Sequence, residues 1–142
     1  MPKIAYTVFC DDIRMEVNGK TSIIGAYAGA LYTRTFPVHL PKLCAWVVGD
    51  TTKDDPFKGF RIEALLNGNV IGELDVPEEQ HQQQIQSSPD ATNMLIQAQM
   101  IFSPILLSEP GELRINFISD GQKIECTPLK ILQAPDDMPI VA

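Results

Sequence analysis

The chain has 142 residues, with 18 acidic and 11 basic side chains and a net charge of −7. Phosphate backbones attract clusters of lysine and arginine, so this acidic chain, which has no basic cluster, is not expected to bind nucleic acid. No apolar run reaches the roughly 20 residues of a membrane-spanning helix, and no secretory signal opens the chain, which predicts a cytoplasmic protein without a membrane contact.

The first predicted elements are two strands within residues 8–32, joined by the turn dipeptide Asn18-Gly19. This dipeptide between apolar-rich runs is a strong signal for a β-hairpin. A two-residue loop would oppose the following pairs: Val17 with Lys20, Asp11 with Ala26, and Asp12 with Gly25. The alternative for part of this stretch is a short helix over 25–31, which its alanines favour.

Two adjacent aspartates interrupt the first of these strands, although strands are poor in aspartate. Neighbouring strand residues point to opposite faces, so Asp11 and Asp12 cannot bind one metal ion while the strand stays regular. The register places Asp11 on the apolar face, where an unpaired carboxylate is costly. We therefore expect Asp11 to accept backbone N–H groups at a bulge or bend, while Asp12 lies in a solvated row of charges with Arg14 and Glu16.

Small residues fill the second strand of this hairpin, and glycine in a strand often marks a bulge or the close approach of another backbone or a ligand. One interpretation is that a strand or side chain of the same protein covers the glycines. The functional interpretation is a shallow groove that accepts a peptide or a second subunit. Its edge would be formed by Asp12, Arg14, Gly25, Tyr27 and Gly29.

Residues 43–49 are apolar on both faces and contain the single tryptophan, which predicts a central strand. The next hairpin turns at Asn67-Gly68-Asn69, and a three-residue loop with Asn69 in the left-handed conformation aligns the two apolar faces. This register opposes Phe60 with Val76, Ile62 with Leu74, Ala64 with Gly72, and Leu66 with Val70. The glutamine-rich loop 77–92 is predicted to be either mobile or functional.

Residues 93–103 alternate between apolar and polar side chains, as a strand does when one face packs on a core. The last hairpin turns at Asp120-Gly121. A two-residue loop there opposes Phe117 with Ile124, Ile115 with Cys126, and Leu113 with Pro128. Pro128 cannot donate a ladder hydrogen bond, so we expect a bend at that residue and a shifted register from Leu129 onwards.

Residue types that bind metals or act as nucleophiles form no recognised motif. Three widely spaced cysteines, Cys10, Cys44 and Cys126, are expected to be buried reduced thiols. His39 and His81 are expected to lie in exposed loops. An alternative is a calcium site built from acidic residues that loops could bring together: Asp50, Asp54 and Asp55, with Asp11 and Asp12.

Two stretches resemble a known family of small uncharacterised bacterial or phage-related proteins. The opening FCDDIRMEVNGKTSIIGAYAG is similar to the N-terminal motif of that family, and EPGELRINFISDGQKIECTPLKI is similar to its closing hairpin, a pattern shared with many immunoglobulin-like domains. The resemblance implies an all-β domain. It implies no activity, substrate or catalytic residue.

The elements together predict an antiparallel β-sandwich of about eight strands, immunoglobulin-like or C2-like, with a barrel as the alternative. Residues 1–132 would form one domain, followed by a flexible tail over 133–142. We expect a non-enzymatic interaction or assembly module without a cofactor, whose partner is another protein or a second copy of the chain. The alternative is a domain that binds a small molecule or a divalent cation.

Overall fold

The computed structural model describes residues 3–52, 54–77 and 93–139, together with the backbone of 85–86. These residues form strands and no α-helix, which confirms the all-β prediction and excludes the helix considered for 25–31. The strands are β1 (Ile4–Met15), β2 (Thr21–Ala26), β3 (Ala30–Thr33), β4 (Val38–Leu40), β5 (Leu43–Thr52), β6 (Phe60–Leu66), β7 (Asn69–Val76), β8 (Ile85–Gln86), β9 (Asn93–Phe102), β10 (Ile105–Leu107), β11 (Gly111–Ser119), β12 (Gln122–Glu125) and β13 (Leu129–Gln133).

Two main sheets face each other across the core, as a β-sandwich requires, and neither closes into a barrel. The first sheet has the strand order β2-β1-β5-β9-β8, with β5 at its centre as predicted. The second sheet has the order β3-β13-β11-β6-β7, and β12 pairs with β11. Strands β4 and β10 form a separate ribbon. The described residues form thirteen strands, more than the predicted eight, because several short segments of two to four residues also pair.

The core follows the alternation seen in the sequence. The buried apolar side chains of two strands that face each other across the core are Ile96, Ala98 and Met100 on β9, and Leu113, Ile115 and Phe117 on β11. The ring of Phe117 stacks on Phe60 with 5.2 Å between centroids and meets Phe57 edge-on at 5.1 Å. This aromatic cluster joins β11 and β6 to the loop that follows β5.

The register predicted for the middle hairpin is confirmed over most of its length. Strands β6 and β7 pair from Phe60 with Val76 to Ala64 with Gly72. A bulge after Ala64 then shifts the pairing by one residue, so the loop has two residues and the predicted three-residue loop is wrong. Asn67 and Gly68 adopt positive φ, in place of Asn69, as a tight hairpin turn of this kind requires.

The register of the last hairpin is confirmed. Phe117 pairs with Ile124, and the N–H of Cys126 donates to the carbonyl oxygen of Ile115 at 3.0 Å. The expected shift after Pro128 is also present, because β13 pairs Leu113 with Leu129 rather than with Pro128. Proline therefore ends one ladder and the chain starts another.

The predicted register of the first hairpin is wrong by one residue. Strands β1 and β2 oppose Asp12 with Ile24 and Cys10 with Ala26, because the loop has three residues, Val17–Gly19, instead of two. The second strand also ends at Ala26, since the chain then crosses to the other sheet, where β3 pairs in parallel with β13. Gly29, with φ of +92°, lies at this crossing.

The chain after β13 runs along β3. The guanidinium of Arg34 donates to the carbonyl oxygens of Pro135 at 2.8 Å, of Asp136 and of Met138. The N–H of Ala134 donates to the carbonyl oxygen of Thr33 at 2.8 Å. These contacts tie the segment 134–138 to β3, and the flexibility expected for 133–142 stays a prediction.

Candidate functional site

The first hairpin folds back over the outer face of the five-stranded sheet. The hydroxyl of Thr21 on β2 donates to Oε1 of Gln97 on β9 at 3.2 Å, although β1 and β5 separate these strands in the sheet. In a flat sheet with the same registers, Thr21 would lie about nine residues, roughly 30 Å, past Gln97 along the strand direction. The amide of Gln99 likewise donates to Sδ of Met15 at 2.9 Å. We call residues 11–26 the folded-back hairpin.

The bend at its base is built from Asp11, Gly25 and Tyr27. Gly25 has φ of +70°, and a Cβ placed there would lie 2.8 Å from Cγ of Asp11. The hydroxyl of Tyr27 donates to Oδ1 of Asp11 at 2.9 Å. Burial, and then this hydrogen bond, raises the pKa of Tyr27 to about 12. The bend expected at Asp11 is present, but its carboxylate is exposed and accepts a phenol rather than backbone N–H groups.

Asp12 takes the capping role that the sequence suggested for Asp11. Its Oδ1 accepts the N–H of Ile13 at 2.9 Å and the ammonium of Lys42 at 2.7 Å, and its Oδ2 lies 3.7 Å from Nε of Arg14. The hydrogen bond from Lys42, together with that from Ile13, lowers the pKa of the Asp12 carboxyl. The two aspartates thus have different partners: Asp11 accepts a hydrogen bond from Tyr27, and Asp12 accepts from Lys42 and from a backbone N–H.

The five residues predicted to edge a groove are divided by the observed register. Asp12 and Arg14 remain together as an ion pair. Tyr27 instead packs against the core with its hydroxyl on Asp11, so it does not line one groove with Asp12. Gly25 is covered by Asp11, whereas no described residue lies within 4 Å of the position that a Cβ of residue 29 would take. The side chain that covers Gly25 belongs to the same protein, which agrees with the structural interpretation of that glycine. A role of these five residues in binding stays a prediction.

The outer face of this sheet carries apolar side chains beside the folded-back hairpin. Tyr6 on β1 and Trp46 on β5 make an edge-to-face ring contact with 6.3 Å between centroids. The indole N–H of Trp46 donates to Oε1 of Gln97 at 3.1 Å. Of the eleven large apolar side chains exposed among the described residues, six lie on this sheet or in its hairpin: Ile4, Tyr6, Met15, Val17, Ile24 and Ile101.

Strand β2 is an uncharged edge. It pairs with β1 on one side, and the described residues place no strand on its other side. Its sequence is TSIIGA, without a charged residue or proline, and Ile24 is 42% exposed. The glycines of this strand were noticed in its sequence, whereas its edge position was not. The signal was its lack of charge, which a strand with one exposed edge seldom shows.

Comparison with known proteins places the chain in a family. The model of a family of unknown function (DUF6941) matches residues 5–132. The chain belongs to this family. The family match includes the folded-back hairpin and both sheets, and it agrees with the resemblance to an uncharacterised family. A search of curated proteins found no match to the chain. The bacterial or phage origin implied by the resemblance stays a prediction.

The acidic residues considered for calcium are not brought together in this family member. Asp50 lies beside Ile4 at one end of β1 and accepts the side-chain N–H of Asn93 at 3.0 Å. Asp11 is about seven residues further along β1, or roughly 24 Å in an extended strand. Asp55 pairs with Lys3 at 3.4 Å. Within the described ranges, no three His, Cys, Asp or Glu side chains are grouped as metal ligands.

The cysteines and His39 have the burial that the sequence predicted. Cys10, Cys44 and Cys126 are buried and unpaired, as predicted. His39 is exposed, as predicted, although it lies in β4 rather than in a loop. His81 and most of the loop 77–92 lie outside the described residues. No helix in the described part of the chain is long and apolar enough to cross a bilayer.

Proposed function

We propose that this domain is a non-enzymatic assembly module that associates with a second copy of itself through the edge of β2 that no described strand covers. The observation that carries the proposal is the uncharged, half-exposed edge of that strand. An unpaired edge presents a row of N–H and C=O groups that another strand can bind. Two copies of β2 would extend the five-stranded sheet across a twofold axis.

The other long edge strand supports this choice by contrast. Strand β7 also lies at a sheet edge, but its sequence NVIGELDV carries two acids. Glu73 on this strand makes an ion pair with Arg61 at 2.6 Å. Charged side chains are a common protection against edge-to-edge pairing. Strand β2 lacks that protection, so it is the edge better suited to pairing.

A second copy suits β2 better than an oppositely charged partner does. The chain has a net charge of −7, so two copies repel each other wherever acidic surfaces meet. Antiparallel pairing of two β2 strands places only uncharged side chains opposite one another. The exposed apolar residues Met15 and Val17 lie at the tip of the same hairpin and add apolar surface next to the contact.

The chemistry of the bend favours a structural over a catalytic role. Asp11 is engaged by Tyr27, and Asp12 is engaged by Lys42 and a backbone N–H. Burial raises the pKa of Cys10 to about 11, which disfavours the reactive thiolate. The three free thiols also suit a reducing compartment, which supports a cytoplasmic location.

The test is the molar mass in solution, measured by size-exclusion chromatography with light scattering over a range of concentrations. We expect the wild-type protein to form a dimer and Ile24→Lys to be monomeric, because each copy would bring an ammonium group into the uncharged contact. Ala26→Lys places a charge at a second exposed position on the same edge. Val70→Lys is the matched control, since Val70 is a 51% exposed aliphatic residue on the other edge strand, and it should stay dimeric.

Circular dichroism and a thermal melt show whether each variant is folded. A wild-type protein that is monomeric at every concentration contradicts the proposal. A dimer that persists in both β2 variants but dissociates in Val70→Lys would move the contact to β7. A complex with another protein that leaves the wild-type chain monomeric would support an interaction module with a different partner and refute self-association.

A further inference from the structure

We propose that Cys10 and Cys44 form a redox-modification site, at which a small disulfide such as glutathione disulfide converts the two thiols into a reversible cross-strand disulfide. The two residues are directly opposed on β1 and β5. Both side chains point to the outer face of the sheet, away from the core residues Phe9 and Ala45 that alternate with them. This inference does not depend on the proposed self-association.

The spacing of opposed strand residues permits a disulfide between Cys10 and Cys44, but that disulfide would be slightly strained. Opposed residues of antiparallel strands have Cα atoms about 4.5–5.5 Å apart, within the range of about 4.4–6.8 Å seen in disulfides. Their Cβ atoms are about 4.5–5.5 Å apart, slightly wider than the roughly 3.5–4.5 Å that disulfides prefer. The strands must move together a little, and strained disulfides are reduced more easily. The expected bond is therefore reversible.

The folded-back hairpin controls access to this pair. Cys10 and Cys44 have 0% exposure, although they lie on the outer face of the sheet. The hairpin covers them, with Sγ of Cys44 lying 3.7 Å from the carbonyl oxygen of Asp11. The hairpin is attached beyond this point through exposed or half-buried polar contacts, including Thr21 with Gln97. Local opening at such contacts costs less than global unfolding and would admit a small disulfide.

The reaction balances without another reagent. In the opened state the thiolate of Cys10 attacks glutathione disulfide, which forms a mixed disulfide and releases one glutathione thiolate. The thiolate of Cys44 then attacks the sulfur of Cys10 and releases the second glutathione. Two cysteine protons leave with the two glutathione molecules, and two electrons pass from the protein to the reagent. Burial raises the pKa of both thiols, so they react in the opened state rather than beneath the hairpin.

In the experiment, the 142-residue protein is treated with glutathione disulfide and then unfolded in the presence of N-ethylmaleimide, and its intact mass is measured. The reduced protein should take up three maleimides, one for each cysteine. After oxidation it should take up one and lose two hydrogen atoms, and peptide mapping should link Cys10 to Cys44. Dithiothreitol should restore all three reactive thiols. The variant Cys126→Ala is the matched control and should form the same bond.

Access is tested by the rate of oxidation. Thr21→Val and Met15→Ala each remove a contact between the hairpin and β9, so we expect oxidation several-fold faster than in the wild-type protein. Val70→Ser, at a distant exposed site, should leave the rate unchanged. Continued labelling of both thiols, a stable mixed disulfide on one of them, or a bond to Cys126 would each refute the site. Equal rates in all variants would refute the control of access by the hairpin.

Discussion

Replacing Gly25 by alanine tests the geometry of the bend directly. Gly25 has φ of +70°, and its absent Cβ is replaced by the carboxylate of Asp11. Gly29 offers a matched control, because its φ is +92° but no atom of the described residues lies within 4 Å of the position of a Cβ. The two substitutions share the backbone strain of a left-handed alanine. They differ in the collision with Asp11.

The expected magnitudes follow from these two contributions. A left-handed conformation costs a non-glycine residue about 1–2 kcal/mol, which is the whole cost expected for Gly29→Ala. Gly25→Ala must also displace the Asp11 carboxylate and break its hydrogen bond with Tyr27, which adds about 1 kcal/mol. In an Asp11→Ala background the added cost should vanish, because the remaining Cβ of residue 11, at 3.1 Å, needs only a small shift. The coupling energy of the pair is therefore about 1 kcal/mol.

Urea unfolding followed by the fluorescence of the single tryptophan measures these free energies. The four proteins of the cycle are wild type, Gly25→Ala, Asp11→Ala and the double variant, with Gly29→Ala as the control for strain. Equal costs for Gly25→Ala in both backgrounds would show that Asp11 does not occupy the space above Gly25. A cost for Gly25→Ala no larger than that for Gly29→Ala would refute the reasoning in the same way.

Three further outcomes are expected. The pKa of Tyr27 is raised from 10.0 to about 12 in the folded protein, so the neutral phenol stabilises the fold. This stabilisation is complete below pH 10 and is lost as the pH rises towards 12. Tyr27→Phe should flatten the fall in stability over that window, measured by urea unfolding at each pH. Phe117→Ala removes a 1% exposed ring stacked on Phe60 and should cost about 3–5 kcal/mol, measured by the same assay. Asn67→Ala should cost about 2 kcal/mol in thermal melts, because Oδ1 accepts the N–H of Glu112 at 2.9 Å and φ is positive.

The second sheet could be predicted in detail because its strands have unlike faces. On β6 and β11, buried apolar side chains alternate with polar ones, so a slip of one residue would expose the whole apolar face. The turn dipeptides then needed only to agree with that pattern. The pattern weakens at Leu65 and Leu66, where both faces are apolar. The bulge, and with it the error in loop length, lies at that position.

The first hairpin was mispredicted because neither face identifies the register. In residues 11–16, one face mixes Asp11 with Ile13 and Met15 and the other carries only charged side chains, so neither face is a continuous apolar one that would select between a loop of two and a loop of three residues. The observed loop begins with Val17, which is 81% exposed and therefore contributes no burial that could select a register. The predicted register placed Tyr27 on the same face of the hairpin as Asp12, whereas the observed register places it with Asp11. The predicted grouping of Tyr27 with Asp12 depended on that register, and a role of these residues in binding stays a prediction.

The position of the hairpin over the sheet depends on contacts between residues far apart in the chain. Thr21 and Gln97 are 76 residues apart, and no local pattern brings them together. Both proposals involve the hairpin that this arrangement creates. Folding back covers the thiols of Cys10 and Cys44, and among the described residues no strand pairs with the other side of β2. Pairing would use the outer edge of the hairpin, whereas oxidation would require its inner face to separate from the sheet.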